Sequence, residues 1–204
     1  MTAADDPAWH LVDRDVTAEQ LPTDRHLDGA VLERCRLRYA DLSGLVTTSC
    51  RFLSCDLTGA DLSGSDHTGT AFTNCRFDGA RLSTARFAGC KLTGSEFTGV
   101  TTMGLVIEGG DWSYVNLHGV DLSGRRLVGL RLSHAELSEA DLRGADLRGA
   151  DLASAVLRGA LLRDADLRDT ELAGVRLADA ELAGVHLDLA GAVRLAASLG
   201  AEVH

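Results

Sequence analysis

The chain has 204 residues, the size of a single domain, and 45% of them are hydrophobic, so a substantial core is available. Thirty carboxylates against twenty basic residues give a formal charge of −10, a sign that argues against direct binding to nucleic acid. The longest mostly apolar stretch, Val100 to Ile107, is too short to cross a membrane, and the only two Pro, Pro7 and Pro22, lie near the start.

Met1 to Asp6 is acidic and has no apolar run of the kind a signal peptide needs, so a disordered start and a cytoplasmic location are expected. Trp9, Leu11, Val12, Val16 and Leu21 are apolar but fall off the register that follows. They predict an irregular N-terminal cap over about Trp9 to Arg25, so residues 1–25 form a first unit.

The second unit, residues 26–188, is one long repeat. Every fifth residue from Leu27 to Leu187 lies on one register, and thirty of these thirty-three positions are apolar: twenty-three Leu, all five Phe, Ile107 and Trp112. Two residues earlier in each unit sits a small or apolar residue such as Ala140, and all five Cys lie there. On an α-helix, five residues advance the side chain by about 500°, so these Leu would spiral and form no stripe. A flat strand would send alternate Leu to opposite faces. Only a chain that turns a corner once per unit buries them all, and nineteen of the twenty-two Gly fall at the corner place, where positive φ suits them.

Stacked coils of this kind make a solenoid. At twenty residues per coil, Phe52 should stack on Phe72 and Phe77 on Phe97. Thr47, His67 and Thr102 interrupt the central register, and Arg125 occupies an inward small-residue place, where a local distortion or a bent rod is expected.

Residues 189–204 form the third unit. Asp188 can cap a helix from about Leu189 to Leu199 with Gly200 as its stop. Leu189, Val193, Ala196 and Ala197 then share an apolar face with no core to join, and with Leu187, Leu199 and Val203 they predict a two-fold homodimer contact.

Chemistry beyond packing finds little support. Cys35, Cys50, Cys55, Cys75 and Cys90 are odd in number, have no CxxC spacing and occupy buried places, so they read as packed thiols with no metal or cofactor. His67 points inward, and no His belongs to a nucleophile or metal motif, so no enzyme is expected.

Charge is ordered along the repeat. Counting by twenties places Asp41, Asp61, Asp121, Asp141, Asp164 and Glu181 on one face and Asp66, Glu108, Asp146, Asp166 and Asp169 on the adjacent one. Such carboxylates can simply keep a rod soluble. They can also form a partner-binding surface that imitates duplex DNA, which carries one charge per about 1.7 Å of axis. A structural or adaptor rod that binds another protein is the competing reading.

Two resemblances bear on this choice. The run Ala140-Asp-Leu-Arg-Gly-Ala-Asp-Leu-Arg-Gly-Ala-Asp-Leu152 resembles the A(D/N)LXX consensus of pentapeptide-repeat proteins. That resemblance implies an all-β, right-handed quadrilateral β-helix of about eight coils, on the order of 40 Å long, with a short C-terminal helix. The segment from Ser65 through His67 to Phe77, continuing through Phe87 and Glu96-Phe97, is similar to the Qnr/MfpA quinolone-resistance proteins, as is the tail from Val185 to Val203. This second resemblance implies a homodimeric DNA mimic that binds DNA gyrase and modulates it or protects it from quinolones or other poisons. Qnr proteins of Gram-negative hosts carry loops between coils. The unbroken register here resembles the loop-free MfpA type more.

Overall fold

The structure is a computed structural model and describes residues 9–202. Met1 to Asp6 and Val203, for which a disordered start and a dimer contact are expected, lie outside the described residues.

One unit shows how the sequence makes a corner. Ala140 and Leu142 point inward and are fully buried, while Asp141 between them faces out. The amide of Ala145 donates to Leu142 O at 3.0 Å and closes a turn in which Gly144 has φ 63°. The same unit is tied to the coils on either side, through Asp141 N to Val120 O at 3.0 Å and Leu142 N to Leu161 O at 2.9 Å. Burial of the Leu therefore comes with nearly complete pairing of the backbone, as a dry solenoid core requires.

Repetition of this unit gives an all-β parallel solenoid with four faces and a short C-terminal helix. Two faces carry regular strands, β1 (His10–Val12), β3 (Val31–Glu33), β5 (Arg51–Leu53) and β7 (Ala71–Thr73) on one, and β2 (His26–Asp28), β4 (Val46–Thr48), β6 (Asp66–Thr68), β8 (Arg86–Ala88) and β9 (Val106–Glu108) on the other. Elsewhere single bridges continue the ladders, as in Asp111↔Arg131↔Asp151↔Glu171. The aromatic residues stack inside the first half, with Phe52 and Phe72 rings 4.6 Å apart and Phe77 and Phe97 also 4.6 Å apart. Trp112 closes that column, 5.6 Å from Phe97.

Departures from the sequence reading occur at both ends. The cap is more regular than expected: β1 pairs with β3, Leu11 lying over Leu32, and Asp15 bridges Arg36, one residue more than the twenty-residue spacing of later coils. Leu11, Val16 and Leu21 thus keep the period of five and are displaced from the main register by a single residue. Near the other end, a 3-10 turn at Leu177–Asp179 replaces the usual corner. Leu182 and Leu187, in the last coil, are only half-buried because no complete coil covers them.

His67 is fully buried within a chain of hydroxyls. Its Nδ1 lies 2.7 Å from Thr47 Oγ1 and its Nε2 lies 2.9 Å from Ser65 Oγ, which itself donates to Leu62 O at 2.7 Å. Because Ser65 spends its proton on that carbonyl, it accepts from Nε2–H, and Thr47 must donate to Nδ1. The neutral ring is thereby satisfied, and burial pushes its pKa down to about 3. The five Cys are free and buried, each Sγ turned toward main-chain carbonyls. Burial pushes the Cys90 thiol up to about 11.

The expected distortion at Arg125 is present and has a definite form. Both acidic faces lose their ladder at one level: Arg81↔Thr101 and Arg86↔Val106 are paired, as are Asp121↔Asp141 and Arg126↔Asp146, but Thr101 does not pair with Asp121 nor Val106 with Arg126. Arg125 Nη2 reaches across to Thr102 O at 2.9 Å, and the Thr102 hydroxyl spans the gap to Asp121 O at 2.7 Å. The next face of the rod stays paired at this level, Asp111 bridging Arg131 and Arg131 N donating to Gly110 O at a long 3.4 Å. Gly110 has φ 106°, and a Cβ there would come within 2.2 Å of Cys90 O. Coils open on one side and still paired on the other describe a wedge with Arg125 in its mouth.

Candidate acidic interface

The outward second place of each unit sets the position of the acidic side chains. Asp121 and Asp141 face each other across a bridge between coils, as do Asp146 and Asp166, and Asp41 and Asp61. Asp141, Asp146 and Asp166 each accept the amide of the residue two further on, at 3.1 to 3.3 Å, which fixes the carboxylate at the corner.

Most of these carboxylates do not stand alone. Arg143, Arg148 and Arg168 fold back on Asp141, Asp146 and Asp166 within their own units. Arg25 pairs with Asp41, Arg81 with Asp61, Arg163 with Glu181, and Arg86 with both Asp66 and Glu108. These guanidiniums hold Asp61 well below the usual carboxylate range, lower Asp141, and hold Asp166 at about 2. Of the predicted partner surface, Asp121, Asp164 and Asp169 have no cation within ion-pair distance among the described residues. All three are exposed in the C-terminal half, and Asp164 and Asp169 occupy corner places with φ 59° and 60°. Spacing by twenties sets Arg81, Arg143 and Arg163 among the carboxylates of one face and four further arginines on the other, but it does not say which ion pairs close. The signal was available: Asp-Leu-Arg places an acid and a base two residues apart on one outward edge.

Eight copies of a profile described as pentapeptide repeats match residues 55–94, 116–152 and 150–188, more than half of the chain. The chain belongs to the pentapeptide-repeat family. Among solved structures, a trypsin-treated variant of QnrB1, a plasmid-mediated fluoroquinolone resistance protein, matches this pentapeptide-repeat protein with TM-score 0.80 and 24% identity, covering 97% of this chain and 98% of the other. Full-length QnrB1 matches with TM-score 0.70 and 24% identity over 95% and 98%. At that identity the likeness is one of fold. No curated protein matches the sequence.

The remaining features of this pentapeptide-repeat protein lie at the level of Arg125 and at the tail. The wedge opens a cavity of about 270 Å³ lined by Leu105, Val106, Ile107, Glu108, Gly124, Arg125 and Arg126, dividing the two acidic faces into halves. Helix α1 (Leu189–Ser198) starts as expected, Asp188 accepting the Gly191 amide at 2.7 Å. It turns Leu195 and Gly191 toward the rod and leaves Leu189, Val193 and Ala197 facing out, Leu189 at 82% exposure. Leu199 is also exposed, whereas Leu187 and Ala196 are half-buried. Among the described residues, no cluster of His, Cys, Asp or Glu is arranged to hold a metal ion, and no helix is long and apolar enough to cross a membrane.

Proposed function

We propose that this protein is a cytoplasmic mimic of duplex DNA that binds DNA gyrase as a homodimer, modulating the enzyme or protecting it from quinolones or other poisons. The observation that carries the reading is the stack of outward carboxylates on two adjacent faces of a rigid rod, with Asp121, Asp164 and Asp169 free of cations. A basic enzyme surface shaped for duplex DNA presents the complementary field, and binding through it is steered by charge and weakened by salt. The rod is the sparser polyanion, so the effect is assigned to the uncompensated C-terminal half. QnrB1, which shares the fold along nearly its whole length, is a fluoroquinolone resistance protein, and the same class of output is assigned here.

The tail supplies the dimer contact in this reading. Leu189, Val193 and Ala197 recur every four residues and form one exposed apolar stripe, with Leu199 beside it. A two-fold contact at the tail would place the two uncompensated halves next to one another, concentrating the charge at the centre of the assembly.

One observation favours a different role, that of an adaptor rod for another protein. Arg143, Arg148 and Arg168 neutralise three of the stacked carboxylates, and a surface of internal ion pairs exerts little long-range field. Competition with duplex DNA for purified gyrase, together with supercoiling assays with and without a quinolone, separates the two roles.

A further inference from the structure

We propose that the slit between β9 and residues 124–126 is a docking site for an extended, acidic segment of a partner protein, which pairs with the free edge of β9 and sets a carboxylate against Arg125 and Arg126. The inference is independent of the gyrase reading and concerns a different chemistry on the same side of the rod.

The backbone carries the first part of the argument. On these faces each coil normally pairs with the next: Val106 N donates to Ala85 O at 2.9 Å below the slit, and Asp146 N to Arg125 O at 2.9 Å above it. Across the slit the corresponding donors, the amides of Ile107, Gly109 and Arg126, have no backbone acceptor among the described residues. β9 is the terminal strand of its sheet. An open parallel edge with unspent donors and acceptors is a template for an added strand, whose main chain supplies the missing bonds.

Side chains then specify what the strand should carry. Val106 is exposed to 41% at the lip of the slit and offers apolar contact. Glu108, the one carboxylate in the lining, is already engaged by Arg86 at 2.7 Å. Arg125 and Arg126 have no carboxylate within ion-pair distance among the described residues, and Arg125 Nε is buried without a hydrogen-bond partner. On a chain of net charge −10 this is a local positive site. A nucleic acid backbone would meet the same arginines but also the acidic faces on both sides, whereas a short segment with one or two carboxylates meets the arginines alone.

The test uses the isotopically labelled full chain and a short blocked peptide of alternating valine and glutamate. The expected result is amide shifts confined to residues 102–109 and 121–126, with affinity lower by about tenfold for Arg126→Gln. Two control peptides are expected to lose binding: one N-methylated along its backbone, which removes the pairing donors, and one of alternating valine and lysine. Arg125→Ala removes the wedge and is expected to abolish binding by letting the coils pair. Absence of shifts at saturating peptide would overturn the proposal, and so would equal binding by the N-methylated peptide or shifts mapping to another part of the rod. Gyrase is not present in any arm, so failure here leaves the DNA-mimic reading untouched.

Discussion

Arg148 grips Asp146 through two parallel contacts, Nε to Oδ1 and Nη2 to Oδ2, each 2.8 Å, and its Nε also lies 3.7 Å from Asp166 on the next coil. Two carboxylates one coil apart, at roughly 4.8 Å, would repel by about 0.9 kcal/mol even in water. The bridging guanidinium removes that cost and most of the local field with it. Acidic composition alone therefore overstates how much of this surface a partner would feel as negative, and carboxylates lacking such a partner become the informative ones.

The core prediction concerns Leu142, which is fully buried. Leu142→Ala is expected to cost about 2–5 kcal/mol, measured by urea unfolding. Leu142→Asp puts an unpaired carboxylate into the dry interior and should prevent folding. A stably folded Leu142→Asp rod would refute the assigned register.

Acid sensitivity should trace to His67. Its folded pKa of about 3 lies below the ordinary 6.5, so the unfolded chain binds a proton that the folded chain refuses. Stability conferred by the neutral ring is complete above pH 6.5 and is lost as pH falls toward 3. Between pH 6.5 and about pH 4.5 the loss should be on the order of 2–3 kcal/mol. His67→Phe should flatten that slope, since Ser65 keeps its bond to Leu62 O and Thr47 its bond to Thr70 when the ring nitrogens are removed. Equal slopes for the two proteins would show that His67 does not control the effect.

Arg125→Ala restores the small residue that the inward place ordinarily holds. Hydrogen exchange of the Ile107, Gly109 and Arg126 amides is expected to be fast in the unmodified chain, where they have no acceptor across the slit, and slow in the variant, where the ladder can close. Unchanged exchange in the variant would show that Arg125 rests in the opening without holding it.

Removal of residues 189–204 tests the tail. The exposed stripe of Leu189, Val193 and Ala197 predicts a dimer at micromolar concentration that becomes a monomer on truncation, read by sedimentation. A monomeric full chain, or a truncated dimer, contradicts the assignment.

The period of five made the solenoid, its aromatic column and the misfit at Arg125 legible, because inward and outward places alternate by a rule that any substitution visibly breaks. What stayed hidden depended on displacement. Leu11, Val16 and Leu21 looked irregular because a single extra residue separates them from Leu27, although Leu11 packs directly over Leu32. The 3-10 turn at Leu177–Asp179 has no sequence mark, since Leu177 holds its register and stays buried while the backbone beyond it tightens. The opening at Thr102 beside the retained pairing of Asp111 with Arg131 is a property of coil tilt, which a list of side-chain places does not encode. At the acidic surface the carboxylate positions were legible, and their neutralisation by Arg143, Arg148 and Arg168 was not drawn from the spacing that contains it.

The most direct test of the DNA-mimic account is the salt-dependent displacement of duplex DNA from purified gyrase by three versions of the chain. One is unmodified, one carries Asp121→Asn, Asp164→Asn and Asp169→Asn, and one carries Glu96→Gln, Glu136→Gln and Asp151→Asn on the other two faces. All three should fold alike, since every substituted side chain faces outward. The account predicts that the first triple variant displaces DNA at least tenfold less well, about 1.4 kcal/mol in binding, with a shallower salt dependence, while the second stays close to the unmodified chain. Equal loss from both triples would assign the effect to bulk charge. Failure of the unmodified chain to displace DNA at any salt concentration would contradict the account and leave the adaptor rod as the function.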